Sequence, residues 1–516
     1  MACVRMAAAI MASRSLAAWG IVAAIILAIN LGAYPLLDPD EGRNGEVGRE
    51  MAATNDYVMP RLDGLPYLDK PIVYFAAEAA VMEVAGPTEF AARFPAWLFT
   101  VATALLLAWF AMRVGINAPA AAIMFLSMPL TIAFARTVIF DSALAFFITA
   151  ALIAFYLERP SVAWAAMAVG VITKGPVALA IPLMIAIPYA IWRKRARTLI
   201  SIAGVILFVV IIAPWVWAVS RVVPGFLRYV LVTETAQRLT TGALKRTGPP
   251  WYFIPYLLGG AFPWWAGSGW PVAGGEDEKW RDRFLLLWLA VPFVFFSLSQ
   301  SKRPQYILPL MPAIALLAAR RWDRQRSAAI ALAVIGALML AAIPFVQIPF
   351  GAGTAILIGA AALVCGAIAI FTRGMLALIA LSIPMLLIPI VTGGVMRSIA
   401  GRRSEKAFAS DLKPYLANAD VVGIEAFTGS MAFYLQRPII LVSRTGEELT
   451  SNYILRHFSD FGERLKPPEW LQQELAKPGT LFVVRNNDAA NRALVEAHGG
   501  QRVAESPHFV AYTMPH

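Results

Sequence analysis

Charged side chains are scarce in this sequence. Only 15% of its 516 residues are Asp, Glu, Lys or Arg, whereas 59% are hydrophobic, and the mean hydropathy is +0.65. A water-soluble globular chain carries about 25% charged residues, so this sequence lacks the polar groups that would cover a surface in water. We therefore expect most of its exterior to face lipid.

Cysteine is nearly absent as well. Cys3 precedes the first apolar run and Cys365 lies inside a later one, so we expect neither a disulfide nor a thiolate metal site. The first apolar run, Leu16 to Tyr34, lacks a convincing cleavage site and leads into further apolar segments. We interpret it as a signal anchor that is retained in the chain.

Long hydrophobic runs are what the sequence has instead. A window of about 19 residues predicts thirteen membrane spans. They lie near 16–34, 91–112, 118–135, 139–157, 161–173, 176–192, 198–219, 252–272, 284–299, 304–319, 327–348, 352–371 and 375–396. With the N-terminus in the cytoplasm, every strongly basic short loop falls on the cytoplasmic side. The net charge of +12 therefore predicts contact with membrane lipids and not with nucleic acid.

The composition changes after Met396. Residues 398–516 are polar, and they alternate strand-like runs with helical patterns such as Ala489–Ala497, which predicts a small α/β domain. The strand-like runs are Val421–Ile424, Ile439–Val442 and Leu481–Val484. The expected fold is mainly α: a polytopic helix bundle, 1–397, with an outer loop at 35–90, and a soluble domain, 398–516. Because thirteen is an odd number, loop 35–90 and the C-terminal domain are expected on the same, extracytoplasmic side.

The first outer loop holds a dense acidic segment. Asp38, Pro39 and Glu41 have the pattern of a capped helix start with a capping box. Asp40 and Arg43 would then share one helix face at positions i and i+3. Asp40 has two interpretations on this pattern, a solvated charge or a functional carboxylate at the membrane boundary.

Basic residues at the same boundary suggest an anionic ligand. Lys70 precedes a proline and should lie outside a helix, where it is either a phosphate partner or a lysine that reaches the lipid interface. Lys174, Lys302 and Arg303 are further cations on the extracytoplasmic side, against the usual charge bias. Asp141 lies near Arg136 and Glu234 near Arg238, and both acids are either members of ion pairs or site residues.

These segments together resemble a known family. Asp40-Glu41 with Arg43, the string Asp69-Lys70-Pro71, Phe140-Asp141, Thr173-Lys174-Gly175 and the segment Ser301 to Pro309 occur in that order. They resemble the GT-C membrane glycosyltransferases related to the aminoarabinose transferase of lipid A and the protein O-mannosyltransferases, over about residues 15–400. The resemblance implies transfer of a sugar from an undecaprenyl-phosphate (polyprenyl-phosphate) carrier to an acceptor outside the cytoplasm, with inversion at the anomeric carbon.

The resemblance also implies roles for individual residues. Asp40 matches the catalytic aspartate. The positions expected to bind substrate are Glu41, Arg43, Asp69, Lys70, Asp141, Lys174, Glu234, Lys302, Arg303 and Tyr306. The chain departs from the aminoarabinose transferases at Asn44, where a tyrosine is common, at Asp69, where a glutamate is common, and in 245–252, which lacks a histidine. No cofactor is expected to be required, and a divalent metal at Asp69 is the alternative.

The residue types agree with that chemistry. A hydroxyl acceptor needs a carboxylate base, and cations near a phosphate leaving group take the place of a general acid. The expected partners are a polyprenyl-phosphate sugar donor, a lipid A-like or other envelope acceptor and membrane lipids, in the bacterial inner membrane with the site on the periplasmic face. The alternatives are a protein O-glycosyltransferase, a glycan ligase of the same fold, and a transporter, which would place charges at mid-membrane.

Overall fold

The computed structural model describes residues 2–230, 248–269, 275–346, 351–417, 419–462 and 464–514. Its contacts divide the chain into two compact units. We call residues 1–31 and 96–393 the helical unit, and residues 32–95 and 394–516 the mixed unit. Each unit is described below by itself.

The helical unit consists of helices whose apolar side chains pack into one large core. The helices that the structure describes are α1 (Ala2–Ala28), α4 (Glu89–Arg113, of which the first turns belong to the mixed unit), α5 (Ala118–Leu126), α6 (Pro129–Phe134), α7 (Asp141–Tyr156), α8 (Pro160–Lys174), α9 (Val177–Trp192), α10 (Ile202–Val222), α11 (Phe226–Arg228), α12 (Phe253–Gly260), α13 (Trp264–Ser268), α14 (Glu276–Leu298), α15 (Met311–Ala319), α16 (Arg326–Ala342), α17 (Ala352–Phe371) and α18 (Met375–Val391). Short 3-10 turns precede α10 and α15 and follow α16.

All thirteen predicted runs contain helix, but several are interrupted. The run 118–135 is divided into α5 and α6, because Pro129 has no N–H to continue the ladder and fits the first turn of a new helix. Within the described residues, four helices are long and apolar enough to cross a membrane by themselves, and a bent pair, Met375–Val391 with Gly393–Arg403, would make five. A helix of 15 residues is only about 22 Å long, shorter than a hydrocarbon core of about 30 Å. The count of thirteen crossings therefore stays a prediction.

Glycines allow α16 and α17 to pack backbone to backbone. A Cβ atom at Gly336 would lie 2.4 Å from the backbone nitrogen of Leu363, and one at Gly366 would lie 2.6 Å from that of Ala333. Small residues at such contacts are typical of helices that associate in lipid, where close van der Waals packing replaces the hydrophobic effect. Both helices also expose large apolar side chains, including Leu338 and Val364.

The mixed unit is built on a six-stranded sheet in the order β5-β4-β3-β6-β8-β7. The strands are β3 (Val421–Ile424), β4 (Ile440–Val442), β5 (Leu465–Lys466), β6 (Leu481–Arg485), β7 (Gln501–Glu505) and β8 (Phe509–Thr513). The first four of these in the sheet order are parallel, and β8 and β7 extend the sheet in antiparallel pairs. The predicted α/β class and the strands β3, β4 and β6 are confirmed, whereas β5, β7 and β8 were not predicted.

Helices and a hairpin complete the mixed unit. They are α2 (Asp40–Thr54), the hairpin β1 (Arg61–Leu62) and β2 (Leu65–Pro66), α3 (Val73–Ala85), α19 (Gly393–Arg403, whose first residue belongs to the helical unit), α20 (Lys406–Leu412), α21 (Gly429–Leu435), α22 (Asn452–Arg456), α23 (Leu471–Glu474) and α24 (Ala489–Ala497). Asp63 and Gly64 form the two-residue turn of the hairpin, both with positive φ, which is the preferred Asp-Gly pattern.

The outer loop groups differently from our expectation. We predicted that 35–90 belongs with the transmembrane domain, but residues 32–95 form one unit with the C-terminal domain. Carboxylates of the loop hold this unit together: Asp63 accepts a hydrogen bond from the backbone of Ile439 at 2.8 Å, and Asp38 accepts one from Ser430 at 3.0 Å. Long-range contacts of this kind have no local signal in sequence.

Candidate functional site

The start of α2 differs from the predicted capping box. The residue before the helix is Pro39, and the prediction that Asp38 caps the helix is wrong. The carboxylate of Asp38 instead accepts hydrogen bonds from the backbone N–H and the hydroxyl of Ser430, and burial raises the pKa of Asp38 to about 6. Glu41 does not close the predicted box either, because its Oε2 accepts the backbone N–H of Leu37, at 3.1 Å, whereas the N–H of Asp38 donates to the carbonyl of Arg403.

Asp40 and Arg43 form the predicted i and i+3 pair. The Nη2 of Arg43 lies 2.8 Å from Oδ1 of Asp40, and 29% of the Asp40 side chain remains exposed. Arg43 also donates to the hydroxyl and the carbonyl of Thr450, at 3.0 and 3.2 Å, and its guanidinium lies 5.9 Å from the ring centre of Tyr67. A cation fixed by several partners therefore holds an accessible carboxylate in place.

The close approach of α2 and α21 explains a glycine in the acidic segment. A Cβ atom at Gly42 would lie 2.4 Å from the backbone nitrogen of Ser430, and one at Gly429 would lie 2.2 Å from that of Arg43. Side chains at these two positions would force the helices apart. The contact therefore fixes the helix turn that carries Asp40 and Arg43.

Glu41 lies in a buried ion pair. Arg93 donates through Nε and Nη2 to the two carboxylate oxygens of Glu41, at 2.9 and 2.7 Å, and its side chain is 0% exposed. Arg93 also donates to the carbonyls of Tyr34 and Pro35. We predicted a substrate contact at Glu41 and did not single out Arg93, although an arginine inside an apolar run is costly and marks a partner.

Asp69 and Lys70 lie in the connection between β2 and α3. The carboxylate of Asp69 accepts the backbone N–H groups of Asn452 and Tyr453, at 2.8 and 2.9 Å, at the start of α22. Lys70 lies outside a helix, as predicted, and its ammonium donates to the carbonyl of Asp69. Asp69 thus organises the fold around Lys70, and a direct role of Lys70 toward a phosphate stays a prediction.

The helical unit brings three of the predicted residues together. Lys174, the last residue of α8, forms an ion pair with Asp141, the first residue of α7. The Lys174 ammonium also lies 5.0 Å from the ring centre of Tyr306. Asp141 is 1% exposed, and Arg136 donates to the carbonyls of Leu27 and Ile29. Asp141 therefore forms its ion pair with Lys174 and not with Arg136, the partner suggested by the sequence.

The remaining predicted residues are distributed as follows. Lys302 donates to the carbonyls of Ser297 and Ser299 at the end of α14, so it stabilises a helix terminus. Arg303 is partly buried, and Tyr306 follows in the next turn, with its hydroxyl 3.5 Å from that of Ser301. Glu234 lies outside the described residues.

A metal at Asp69 was the alternative for the cofactor. Among the described residues, no group of three or more His, Cys, Asp or Glu side chains could hold a metal ion. The two oxygens of Asp69 each accept one backbone N–H group at the start of α22. A metal requirement therefore stays a prediction.

The fold and parts of the sequence match known proteins. Residues 46–230 match the model of the dolichyl-phosphate-mannose-protein mannosyltransferase family. The chain is 33% identical to the undecaprenyl phosphate-alpha-4-amino-4-deoxy-L-arabinose arabinosyl transferase of Serratia proteamaculans, over 58% of each chain. It is 30% identical to the enzyme of the same name from Erwinia tasmaniensis, over 64% of this chain and 62% of the relative. The chain therefore spans somewhat over half the length of the curated relatives it matches.

The structural likeness covers more of the chain. The crystal structure of ArnT from Cupriavidus metallidurans bound to undecaprenyl phosphate matches with a TM-score of 0.81, at 24% identity, over 96% of this chain and 97% of that one. The apo structure of the same protein matches with a TM-score of 0.77 at 25% identity. The fold class predicted from sequence is confirmed. The chain is a multi-pass membrane protein with the GT-C fold, and parts of its sequence are similar to the named arabinosyl transferases and to the dolichyl-phosphate-mannose-protein mannosyltransferase family.

Proposed function

We propose that this chain is an inverting glycosyltransferase. It transfers a sugar, a pentose or hexose, from a polyprenyl-phosphate carrier to a lipid A-like or other envelope acceptor on the periplasmic face of the inner membrane. The relatives named above as arabinosyl transferases support the reaction class, and the departures at Asn44 and Asp69 leave the sugar open. The observation that carries the proposal is the exposed carboxylate of Asp40, held by Arg43.

The structure separates the acids of the outer loop by their surroundings. The carboxylates of Asp38, Glu41 and Asp69 each accept hydrogen bonds from partners that hold the mixed unit together. Asp40 is paired with Arg43 and keeps 29% of its side chain exposed. A general base must reach the acceptor hydroxyl, and an exposed carboxylate fits that role better than one engaged in packing.

The cations fit the departure of a phosphate. When the bond from the anomeric carbon to the carrier breaks, the carrier phosphate gains negative charge, and nearby cations stabilise it. Arg43 and Lys70 of the mixed unit are assigned to this charge, and the expected donor contact of Lys174 stays a prediction from the sequence. The acceptor hydroxyl loses its proton to Asp40 and attacks the anomeric carbon from the opposite face, which inverts its configuration.

The test of this function is a transfer assay with the purified chain in vesicles. Polyprenyl-phosphate sugars are offered with a glycolipid acceptor, and the products are identified by mass spectrometry. We propose that no metal takes part, because no group of three or more His, Cys, Asp or Glu side chains in the described part of the chain could hold one. We expect transfer to continue in the presence of EDTA. Absence of transfer from any polyprenyl-phosphate sugar would refute the proposed function. Loss of transfer with EDTA would show that the reaction requires a metal. Modification of a protein acceptor would favour the O-glycosyltransferase alternative.

Sidedness follows from the charges of the short loops. We expect the C-terminal domain and the outer loop to lie in the periplasm, which is where a lipid-linked sugar would meet an envelope acceptor. A reporter enzyme that works only outside the cytoplasm should be active when it is fused after Pro515. A matched fusion after Arg195, in a loop predicted to be cytoplasmic, should be silent. Activity of the second fusion alone would reverse the orientation.

Replacement of Lys70 tests the phosphate contact. Lys70→Ala removes one charge-assisted contact, so we expect donor binding and turnover to fall by about ten- to hundredfold. Lys413→Ala is the control, because Lys413 is an exposed lysine of the same unit without an assigned role. If Lys70→Ala binds the donor as the parent chain does, Lys70 is an interfacial lysine and its assignment is wrong.

A further inference from the structure

A cleft of about 550 Å³ opens in the mixed unit, and its lining includes Asp38 and Pro39 but neither Asp40 nor Arg43. Phe427 and Thr428, which follow β3, line it together with Asn486 and Asn487, which follow β6. The two strands are adjacent and parallel. The cleft therefore lies at the carboxyl ends of neighbouring parallel strands.

The sheet topology changes direction at this place. From β3 the chain continues to β4 and then to β5 on one side, and it returns past β3 to place β6 on the other side. In open α/β sheets, ligands usually bind in a crevice at the carboxyl ends of two strands whose connections run in opposite directions. The boundary between β3 and β6 is such a crevice, and the cleft occupies it.

Cationic side chains line the cleft. They are the guanidinium groups of Arg402, Arg403 and Arg485. Arg403 donates to the carbonyl of Asp38 at 2.7 Å, and Arg485 donates to the carbonyl of Glu425 at 2.6 Å. These bonds fix two of the guanidinium groups, and each arginine has five N–H donors in total. Three arginines in one crevice favour an anionic ligand, above all a phosphate.

Besides Asp38, whose carboxylate accepts hydrogen bonds from Ser430, Glu405 and Asn486 bring acceptors to the lining of the cleft. Glu405 is 2% exposed and places Oε1 2.8 Å from Nδ1 of His508. Its Oε2 is buried and has no hydrogen-bond partner in the part of the chain that the structure describes, and the same holds for Oδ1 of Asn486. Buried acceptors are nearly always satisfied in native proteins. A ligand that brings hydroxyl or ammonium donors would satisfy both.

We propose that this cleft binds a phosphorylated sugar. Its phosphate contacts the arginines, and its hydroxyl or ammonium groups donate to Glu405 and Asn486. The assignment of the cleft to the phosphorylated sugar headgroup of the acceptor rests on the function proposed above, whereas the binding of a phosphorylated sugar requires only the cleft. The C-terminal domain then selects the acceptor, and the donor phosphate is bound by other residues.

Binding to the full-length chain in detergent tests this site. The probes are radiolabelled glucosamine 1-phosphate and inorganic phosphate, measured by equilibrium dialysis. We expect Arg402→Gln to weaken both probes by about tenfold or more, since it removes a charged contact to the phosphate. Glu405→Gln should weaken the binding of glucosamine 1-phosphate relative to that of inorganic phosphate, because the hydroxyl and ammonium groups of the sugar are the donors assigned to the carboxylate.

Arg502→Gln is the matched control. Arg502 is an exposed arginine of β7 that pairs with Glu505. The start of β7 lies at the same end of the sheet as the amino end of β6, whereas the cleft lies at the carboxyl end of β6. It should bind both probes as the parent chain does. No saturable binding by the parent chain, or unchanged binding by Arg402→Gln, would overturn the site. Equal weakening by Arg402→Gln and Arg502→Gln would reduce it to unspecific surface charge. Thermal unfolding of each variant confirms that it is folded, and Arg402, which is exposed, keeps the test valid if Glu405→Gln does not fold.

Competition identifies the source of the ligand. A phosphorylated glycolipid in vesicles that displaces the soluble probe, when its dephosphorylated form does not, assigns the cleft to a lipid headgroup. Displacement by soluble phosphosugars alone assigns it to a free metabolite and removes the acceptor role. Asp40→Asn should bind the probes normally. Probe binding by a chain without transfer activity would refute the proposed function and leave the cleft in place, and transfer without probe binding would do the reverse.

Discussion

Asp40→Asn is expected to reduce transfer by at least about a hundredfold. The asparagine keeps the size of the side chain and can still accept a hydrogen bond from Arg43, but it cannot take the proton of the acceptor hydroxyl. Folding should be unaffected, because Asp40 is partly exposed and Arg43 retains its two hydrogen bonds to Thr450. Transfer from a polyprenyl-phosphate sugar is measured in vesicles at equal amounts of protein.

Asp56→Asn is the matched control for this substitution. Asp56 lies in the same outer loop, is 31% exposed and pairs with Arg61 at 3.3 Å. Its Oδ1 accepts the backbone N–H groups of Val58 and Met59, bonds that an asparagine can also make. It should transfer at the parental rate. Parental activity in Asp40→Asn would show that Asp40 is a solvated charge at a helix start.

Glu41→Gln is expected to destabilise the mixed unit by about 3 kcal/mol. The neutral amide cannot balance the charge of Arg93, which is 0% exposed, and breaking a buried ion pair leaves an uncompensated charge. If Glu41 were only a capping-box residue, as the sequence suggests, its replacement would lower the stability by only about 1 kcal/mol. For a unit of this size, about 3 kcal/mol corresponds to a midpoint roughly 6 to 12 °C lower, which thermal unfolding in detergent would detect.

A double variant separates the ion pair from other effects of these positions. Glu41→Leu combined with Arg93→Met removes both charges, so it should be more stable than Glu41→Leu alone, although Tyr34 and Pro35 lose a donor. The exposed pair of Asp56 and Arg61 is the comparison, since breaking it should cost less than about 1 kcal/mol. A Glu41→Gln protein that unfolds at the parental temperature would mean that the pair contributes no net stability.

The change in the role of Glu41 also affects how activity data should be interpreted. Adjacent residues at a helix start point about 100° apart, so only one of Asp40 and Glu41 can face a substrate. Low activity of a Glu41 variant would follow from loss of folded protein, and it would not identify a catalytic carboxylate. Activity must therefore be compared per folded molecule, and Asp56→Asn is the better control for Asp40→Asn.

Much of the fold was predictable because its causes are local in the chain. Runs of apolar residues in a sequence with few charges require lipid as solvent, and backbone hydrogen bonds in lipid require helices. The change of composition after Met396 marked the start of the polar domain, and alternating patterns there predicted β3, β4, β6 and α24. The spacing of Asp40 and Arg43 predicted their pair, because residues three apart on a helix are neighbours whatever surrounds them.

The tertiary structure alone decided which charges are engaged and by which partners. Asp38, Asp63 and Asp69 accept backbone N–H groups from residues more than 370 positions away, and Glu41 pairs with Arg93 in a different helix. A sequence pattern shows that a carboxylate is present, but its partner depends on which segments pack against it. The cleft between β3 and β6 has the same cause, since Arg402, Glu405 and Asn486 come together only through the order of the strands in the sheet. Sequence therefore determined the solvent, the helices and the local pair at Asp40. Packing over long distances along the chain determined which acids hold the fold, and it left 29% of the Asp40 side chain exposed.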